Sequence, residues 1–236
     1  MTPALSVLAP CLNEAPNVPS LCERVLSALE SAAIMKRGGG ELILIDDGST
    51  DGTANLALTL EPRVNLARHP ERRGIPAAWR TGLEFARGTH VCTLDADLQY
   101  RPEEIANLWD ALDAAGADFA QGVRQFDGGT DLVRLALSRG LNRLLNTAFR
   151  TNARDNKSGF LLCRREVLAS LLEPASRFRH WQCFVGVAAR TRGLACVEVD
   201  VSFDRRSRGR SAFGSIPLKA TAEVLLDFAP AWREYR

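Results

Sequence analysis

Apolar residues along the chain fall into short unbroken runs that alternate with segments of helical period. Ala4–Ala9 (ALSVLA) is such a run, ended by Pro10, and predicts a buried strand. Asn17–Ala33 follows with Val18, Leu21, Val25, Leu29 and Ala32 at helical spacing, until Gly38–Gly40 breaks the pattern. Glu41–Ile45 (ELILI) predicts a second strand, and Thr50–Leu60 a helix. Arg63–Leu66 is a short third strand and Gly74–Ala86 a helix closed by Gly88. His90–Leu94 is a fourth strand, and Pro102–Ala115 a helix with proline in its first turn. Strands and helices that alternate in this way argue for an α/β fold with a mostly parallel central sheet flanked by helices.

The second half is less regular. Asp118–Val123 predicts a fifth strand, and Asp131–Phe149 an amphipathic helix carrying Arg134, Arg139 and Arg143. Gly159–Cys163 and Leu194–Val201 are further strand candidates, with helix between them, including Phe184–Arg192. Phe203–Arg210 (FDRRSRGR) reads as a basic loop and Ala220–Ala229 as a closing helix. With no internal repeat and no linker, residues 1–236 read as a single domain.

In parallel α/β sheets ligands bind beyond the carboxyl ends of the strands. Strand ends here carry Asn13–Glu14, Asp46–Asp47 and Asp95–Asp97, so these polar groups are expected to converge on one crevice. Asp95 and Asp97 are alternate residues, with Gln99 two further on. Hard oxygen ligands in that spacing suit Mg2+ or Mn2+, an ion that keeps some waters and bridges phosphate oxygens. Asp46 and Asp47 can accept hydrogen bonds from a base or a ribose. The plainer alternative is that Asp95 caps a turn and Asp97 the next helix. Trp79 and Trp109 sit at helical positions and read as core, while His180–Trp181–Gln182 has a second reading as a sugar-stacking group.

Composition narrows the classes further. At 46% hydrophobic and 25% charged the chain can bury a core, which excludes disorder. A net charge of +2 gives no electrostatic footprint for nucleic acid. The six cysteines are dispersed without a CxxC pair and the three histidines lack metal-ligand spacing, so no zinc site is expected. Reduced thiols in a cytoplasmic protein are the simplest reading. The N-terminus lacks a basic leader and no run of about 18 apolar residues occurs, so neither a signal peptide nor a transmembrane segment is expected.

LAPCLNE, LILIDDGSTDGT, RGIPAAWRTGLEFARG, LDADLQYRPEEI, QGVR, DNKSGF and VEVDVSFDRRSRGRS occur in that order from residue 5 to about 211. Together they resemble the family-2 glycosyltransferases of GT-A fold, and among them the polyprenyl-phosphate sugar transferases. The resemblance implies a metal-dependent, inverting hexosyltransferase that moves a sugar from a GDP- or UDP-sugar to a polyprenyl phosphate. Residues 1–115 would then be the nucleotide-sugar half. Residues 116–236 would be the acceptor half, with the basic loop 203–212 and a C-terminal amphipathic helix.

By similarity, Pro10, Leu12 and Glu14 would line the nucleotide pocket, with Ile45, Asp46 and Asp47 at base and ribose. Asp95 and Ala96 would meet the nucleotide sugar, and Asp97 and Gln99 the metal. Arg124 and Arg134 would approach phosphates, and Arg206 the donor pyrophosphate from a mobile loop. Catalytic weight would fall on Asp97, Arg206 and Asp155, the last on the acceptor side. For Arg205, Arg206, Arg208 and Arg210 a solvated surface charge is the competing reading, and family position favours function for Arg206 alone.

Two departures from the family pattern stand out. Leu12 replaces a usual tyrosine, and the loop reads Arg206-Ser-Arg-Gly209-Arg-Ser211-Ala212, without the usual lysine after the serine. Leu218, Val224, Leu225, Phe228 and Trp232 form an apolar stripe. Docking on the core or a homodimer contact is the preferred reading for it, over peripheral contact with the inner face of the membrane, because Glu223 and Asp227 interrupt it. A soluble small-molecule acceptor, or nucleotide-sugar binding without catalysis, are the alternatives to the lipid-phosphate reading.

Overall fold

Strands β1 (Leu5–Cys11) and β2 (Gly40–Asp47) are buried almost from end to end, as their apolar runs require of central strands. A computed structural model of the chain describes residues 2–60, 64–126, 132–206 and 224–236, apart from the side chains of Leu132 and Arg134. Beside the first two strands lie β3 (Val64–His69), β4 (His90–Thr93), β5 (Phe119–Phe126), β6 (Leu161–Arg164) and β7 (Cys196–Phe203). They form one seven-stranded sheet in the order β3-β2-β1-β4-β6-β5-β7. Strand β6 runs antiparallel to β4 and β5, and every other pairing is parallel.

Helices cover both faces. On one, α1 (Val18–Leu29) and α5 (Ile105–Ala115) pack their apolar stripes on Leu5, Val7, Leu42, Leu44 and Cys92. On the other, α4 (Ile75–Phe85) puts Ala78 and Trp79 against Leu8, Ile43 and Ile45. That second layer is completed by α6 (Leu132–Phe149), α7 (Arg165–Leu172), α8 (Val185–Thr191) and the last helix. The expected helix over 17–33 is interrupted: Ser31 is extended (φ −59°, ψ 147°), and a short α2 (Ala32–Met35) begins after it. Another short helix, α3 (Thr53–Thr59), follows the DDGST turn.

The closing helix expected over 220–229 is present in its described part, where residues 224–226 are helical and α9 (Phe228–Tyr235) carries on past 229; residues 220–223 fall outside the described part. Of the apolar stripe, Val224 and Phe228 dock on the core, joined by Ala231 and Tyr235, whereas Leu225 and Trp232 are exposed and Leu218 lies outside the described residues. Trp181 is fully buried, lies edge-on to Trp79 at 6.2 Å, and donates its Nε1–H to Tyr235 Oη at 2.7 Å. It is core, so the sugar-stacking reading of Trp181 is withdrawn. All six cysteines are free thiols. Among the described residues no helix is long and apolar enough to cross a membrane.

Candidate active site

The parallel register brings the carboxyl ends of β1 and β2 to one rim, with Cys11 opposite Asp46. The chain leaves β1 through Asn13, whose φ of 56° suits a residue tolerant of the left-handed region. Two segments are then laced together. Asn13 N–H donates to Ser49 Oγ (2.9 Å), Thr50 N–H to Asn13 Oδ1 (2.8 Å), Glu14 N–H to Thr53 Oγ1 (3.0 Å) and Ala15 N–H to Asp51 Oδ2 (3.1 Å). This lacing fixes Glu14, whose buried carboxylate accepts from Asn17 Nδ2 at 2.6 Å.

At the end of β2 the two aspartates do different things. Asp47 is enclosed: its oxygens meet His69 Nδ1 (2.7 Å) and accept from the N–H groups of Arg73 (2.8 Å) and Gly74 (2.8 Å). It hangs the 70–74 turn on the strand end. Asp46 is fully buried and accepts Ser49 N–H through Oδ1 at 3.0 Å. Among the described residues its Oδ2 has no hydrogen-bond partner, with only Arg68 Nε at 3.3 Å. An unsatisfied buried carboxylate oxygen calls for an external donor.

Strand β4 stops at Thr93, and Leu94–Asp97 turns along the rim toward Leu98, whose φ is 60°. Burial, and then the charge of Asp97, push the Asp95 carboxyl above its ordinary range. Burial likewise raises Asp97, although Gln99 N–H donates to its Oδ1 at 3.1 Å. Glu14 is raised by burial as well. Residues 99–101 are then sewn to the end of β7. Tyr100 bridges Phe203, Gln99 Nε2 donates to the Asp204 carbonyl (3.0 Å), and Arg101 forks onto the Asp204 carboxylate (2.8 and 2.8 Å). That seam delivers Arg206, which pairs with Glu14 through Nη2 and stands 4.0 Å from Asp97 Oδ2.

A second cluster adjoins the first. Arg124, on β5, forks onto Asp155 at 2.6 and 2.9 Å, between the rings of Phe126 and Phe203. Burial would raise Asp155, but the paired guanidinium holds it below the usual carboxylate range. The segment from Asp155 runs back past Asp95: a Cβ at Gly159 would lie 3.6 Å from Asp95 Oδ1. Ser158 meets Tyr100 Oη at 3.0 Å, which ties this segment to the seam.

The structure thus gathers Glu14, Asp95, Asp97 and Arg206, with Arg124 and Asp155 beside them and Asp46 at the neighbouring strand end. Pro10 and Leu12 are half-buried on the way to Glu14, and Ala96 is buried between the aspartates. Ile45 is fully buried in the core, with its Cδ1 3.1 Å from where a Cβ at Gly82 would stand. The side chain of Arg134, and Arg208, Arg210, Ser211 and Ala212, lie outside the described residues. Sequence reasoning missed Asn17, His69, Arg101, Lys157 and Asp204. Asn17, His69, Arg101 and Asp204 brace the site, while Lys157 stands beside the Arg124–Asp155 pair, and no local pattern pointed to them.

Among the described residues no three His, Cys, Asp or Glu side chains are placed to hold a metal ion unaided. The donor set nevertheless fits a hard divalent cation that completes its shell with water and phosphate oxygens. Three carboxyls raised by burial sit where positive charge is lacking, and Arg206, with its buried Nε unpartnered, stands in for a cation among them.

The sequence profile described as Glycosyl transferase family 2 matches residues 6–172. The chain belongs to that family. This glycosyltransferase is 34% identical over 218 residues to polyprenol monophosphomannose synthase of Mycolicibacterium smegmatis, covering 87% of this chain and 79% of that protein. It is 34% identical over 220 residues to undecaprenyl-phosphate 4-deoxy-4-formamido-L-arabinose transferase of Shewanella sediminis, covering 91% of this chain and 63%, less than two thirds, of that protein. Its fold matches the crystal structure of glucosyl-3-phosphoglycerate synthase from Mycobacterium tuberculosis in complex with Mn2+, UDP and phosphoglyceric acid. The TM-score is 0.72 at 21% identity, covering 98% of this chain and 78% of that one. The expected GT-A glycosyltransferase fold is the fold observed.

Proposed function

We propose that this glycosyltransferase moves a hexosyl group from a nucleoside diphosphate sugar to a polyprenyl phosphate, with inversion at the anomeric carbon. One observation carries the reading: Glu14, Asp95, Asp97 and Arg206, from three separate segments, meet at one strand-end rim directly beside Arg124. The names of the two relatives above, both transferases acting on polyprenyl or undecaprenyl phosphates, support the acceptor class.

Asp97 and Asp95, with the amide oxygen of Gln99, would hold Mg2+ or Mn2+. When bound, the ion neutralises charge that develops on the departing diphosphate. Arg206 adds positive charge at the same group, an electrostatic contribution that is often the largest in such reactions. Asp46 Oδ2 takes the hydrogen bond of a nucleoside hydroxyl or ring N–H. Asp47 acts indirectly, by fixing the turn beside it.

An oxygen of the acceptor phosphate attacks the anomeric carbon and forms the new C–O bond. The bond from that carbon to the diphosphate oxygen breaks, and the nucleoside diphosphate leaves with the electron pair. The nucleophile is already an anion at neutral pH, so no side chain has to accept a proton. Asp155 fits that scheme as the counter-ion of Arg124: with both oxygens on a guanidinium it is a poor base. The lipid chain requires work at a membrane surface, and Leu225, Leu226 and Trp232 are 44, 61 and 43% exposed for peripheral contact there.

The test is a panel of GDP- and UDP-sugars with Mg2+ or Mn2+, each run with and without a short polyprenyl phosphate. Metal-dependent formation of a glycosyl polyprenyl phosphate is expected. Transfer only to neutral or small soluble acceptors would overturn the acceptor assignment. In the same assay Asp97→Ala should lower turnover by at least 10³-fold while the circular dichroism spectrum is unchanged; wild-type turnover would remove Asp97 from the site.

A further inference from the structure

The rim holds two clusters of opposite sign. Glu14, Asp95 and Asp97 outweigh Arg206 and leave the first negative. Arg124 and Lys157 outweigh Asp155 and leave the second positive. They adjoin through Gly159, whose position lies against the Asp95 carboxylate, and Arg124 and Asp95 act on each other electrostatically. The first cluster suits a divalent cation and a diphosphate. The mechanism above gives Lys157 no part in the second.

Lys157 is placed oddly for a residue of purely structural use. Its N–H donates to Asp155 Oδ1 (3.2 Å), while among the described residues its ammonium makes one hydrogen bond, to the Ser138 carbonyl of α6 at 2.9 Å. Ser138 lies in the middle of α6, where a carbonyl is already served by the residue four further on. The lysine therefore satisfies no orphaned group there. Its nearest carboxylate, Asp155, is taken up on both oxygens by Arg124. Among the described residues this half-buried ammonium has two donors unused and no carboxylate of its own, which suits an anion from outside.

We propose that Lys157 and Arg124 together seat the phosphate of the acceptor. The inference rests on the phosphate-acceptor reading above and deepens it, because it assigns the residue that selects a phosphate over a neutral alcohol. A phosphate monoester carries between one and two negative charges at neutral pH and three acceptor oxygens. It can take the free N–H donors of both cations, whereas a neutral hydroxyl leaves the positive cluster uncompensated. The ordinary lysine charge is also held down here: burial lowers Lys157 from 10.5 to about 8, against the pull of Asp155. An arriving dianion would restore it.

Steady-state kinetics with a short polyprenyl phosphate, and calorimetry of UDP and GDP with Mn2+, test the seat in wild type, Lys157→Met and Lys157→Arg. The expected result is a KM for the acceptor raised at least tenfold in Lys157→Met. Affinity for the nucleoside diphosphate that wild type binds should stay within twofold, and most of the loss should be recovered in Lys157→Arg. An unchanged acceptor KM in Lys157→Met, with the wild type active, would overturn the seat alone. An equal loss of nucleoside diphosphate affinity would place Lys157 in the donor site or the fold instead, and would also overturn it. Wild type that transfers to no phosphate acceptor would overturn the acceptor reading and the seat with it. If Lys157→Met melts below the assay temperature, Lys157→Gln carries the same comparison.

Discussion

Arg206 shows how one side chain can hold an acidic crevice together before any ligand enters it. Its guanidinium sits on Glu14 and 4.0 Å from Asp97, in the space a cation would use. Unit charges at that separation interact by about 4 kcal/mol at an effective dielectric of 20. Arg206→Ala should therefore bind Mn2+ several-fold more tightly in the absence of nucleotide, as read by calorimetry, while turnover falls about 10²-fold. Weaker Mn2+ binding in that variant would show that the arginine and the ion do not compete. Lys157 gives a prediction of the opposite kind. Its amine titrates near 8 in the folded chain and at 10.5 when unfolded, so between those values the unfolded state binds the extra proton and stability rises with pH. Below that window the fold carries the cost of a buried charge. Lys157→Met should be more stable than wild type at pH 7, by on the order of 1–2 kcal/mol after allowance for partial exposure. The gap should close toward pH 10 in a series of urea melts. A variant less stable at both pH values would mean that the Ser138 hydrogen bond outweighs the desolvation of the ammonium.

Among the elements, the turn after β2 carries the most consequence for its size. Asp47 is the only described acceptor given to Arg73 N–H and Gly74 N–H, and it also orients His69, whose Nε2 reaches Thr81 at 2.9 Å. Beside it Gly48 has a φ of 80°, and a Cβ there would stand 2.6 Å from the Glu71 backbone. Asp47→Ala takes the shared acceptor from the part-buried N–H groups of Arg73 and Gly74, so a loss of about 1–3 kcal/mol is expected in equilibrium unfolding, together with weaker donor binding. Gly48→Ala should destabilise by a similar amount through strain and contact. A melt within 1 kcal/mol of wild type for either would mean that the turn relaxes freely. The strands themselves were legible to within a few residues, because a run such as ELILI must be buried on both faces. The antiparallel setting of β6 was not legible: LLCR has the same pattern in either direction, and only its neighbours decide. The break between α1 and α2 was hidden for a similar reason, since Leu29 and Ile34 both face the core across it. DDGST announced its acids, yet whether each turns outward or inward depends on His69 and the 70–74 turn, which no local pattern couples to it.

Across the whole molecule, the convergence of acids at the strand ends could be anticipated from topology, but the arrival of Arg206 could not. It depends on the seam between Gln99–Arg101 and Phe203–Asp204, about 100 residues apart in sequence. A second long-range support is built of buried aromatic rings joined by one hydrogen bond. Tyr235, at the end of α9, accepts the Trp181 Nε1–H, and Trp181 lies edge-on against Trp79. Trp79 in turn lies 3.9 Å from where a Cβ at Gly159 would stand, beside the Asp95 carboxylate. The last helix thus underpins the floor of the site through a stack of buried rings, and the two ends of that stack separate stability from function. Tyr235→Phe removes one acceptor and leaves a buried indole N–H unsatisfied, at a cost of about 1–3 kcal/mol. The rings keep their shape, so affinity for the donor's nucleoside diphosphate with Mn2+ should not change. Trp181→Ala opens a cavity under Trp79, with an expected loss of about 3–5 kcal/mol. It lets the floor settle, so that affinity should fall at least fivefold at temperatures where the variant remains folded. If Trp181→Ala bound the nucleotide as wild type does, the rings would be a source of stability alone, and Asp95 would be positioned by the rim by itself.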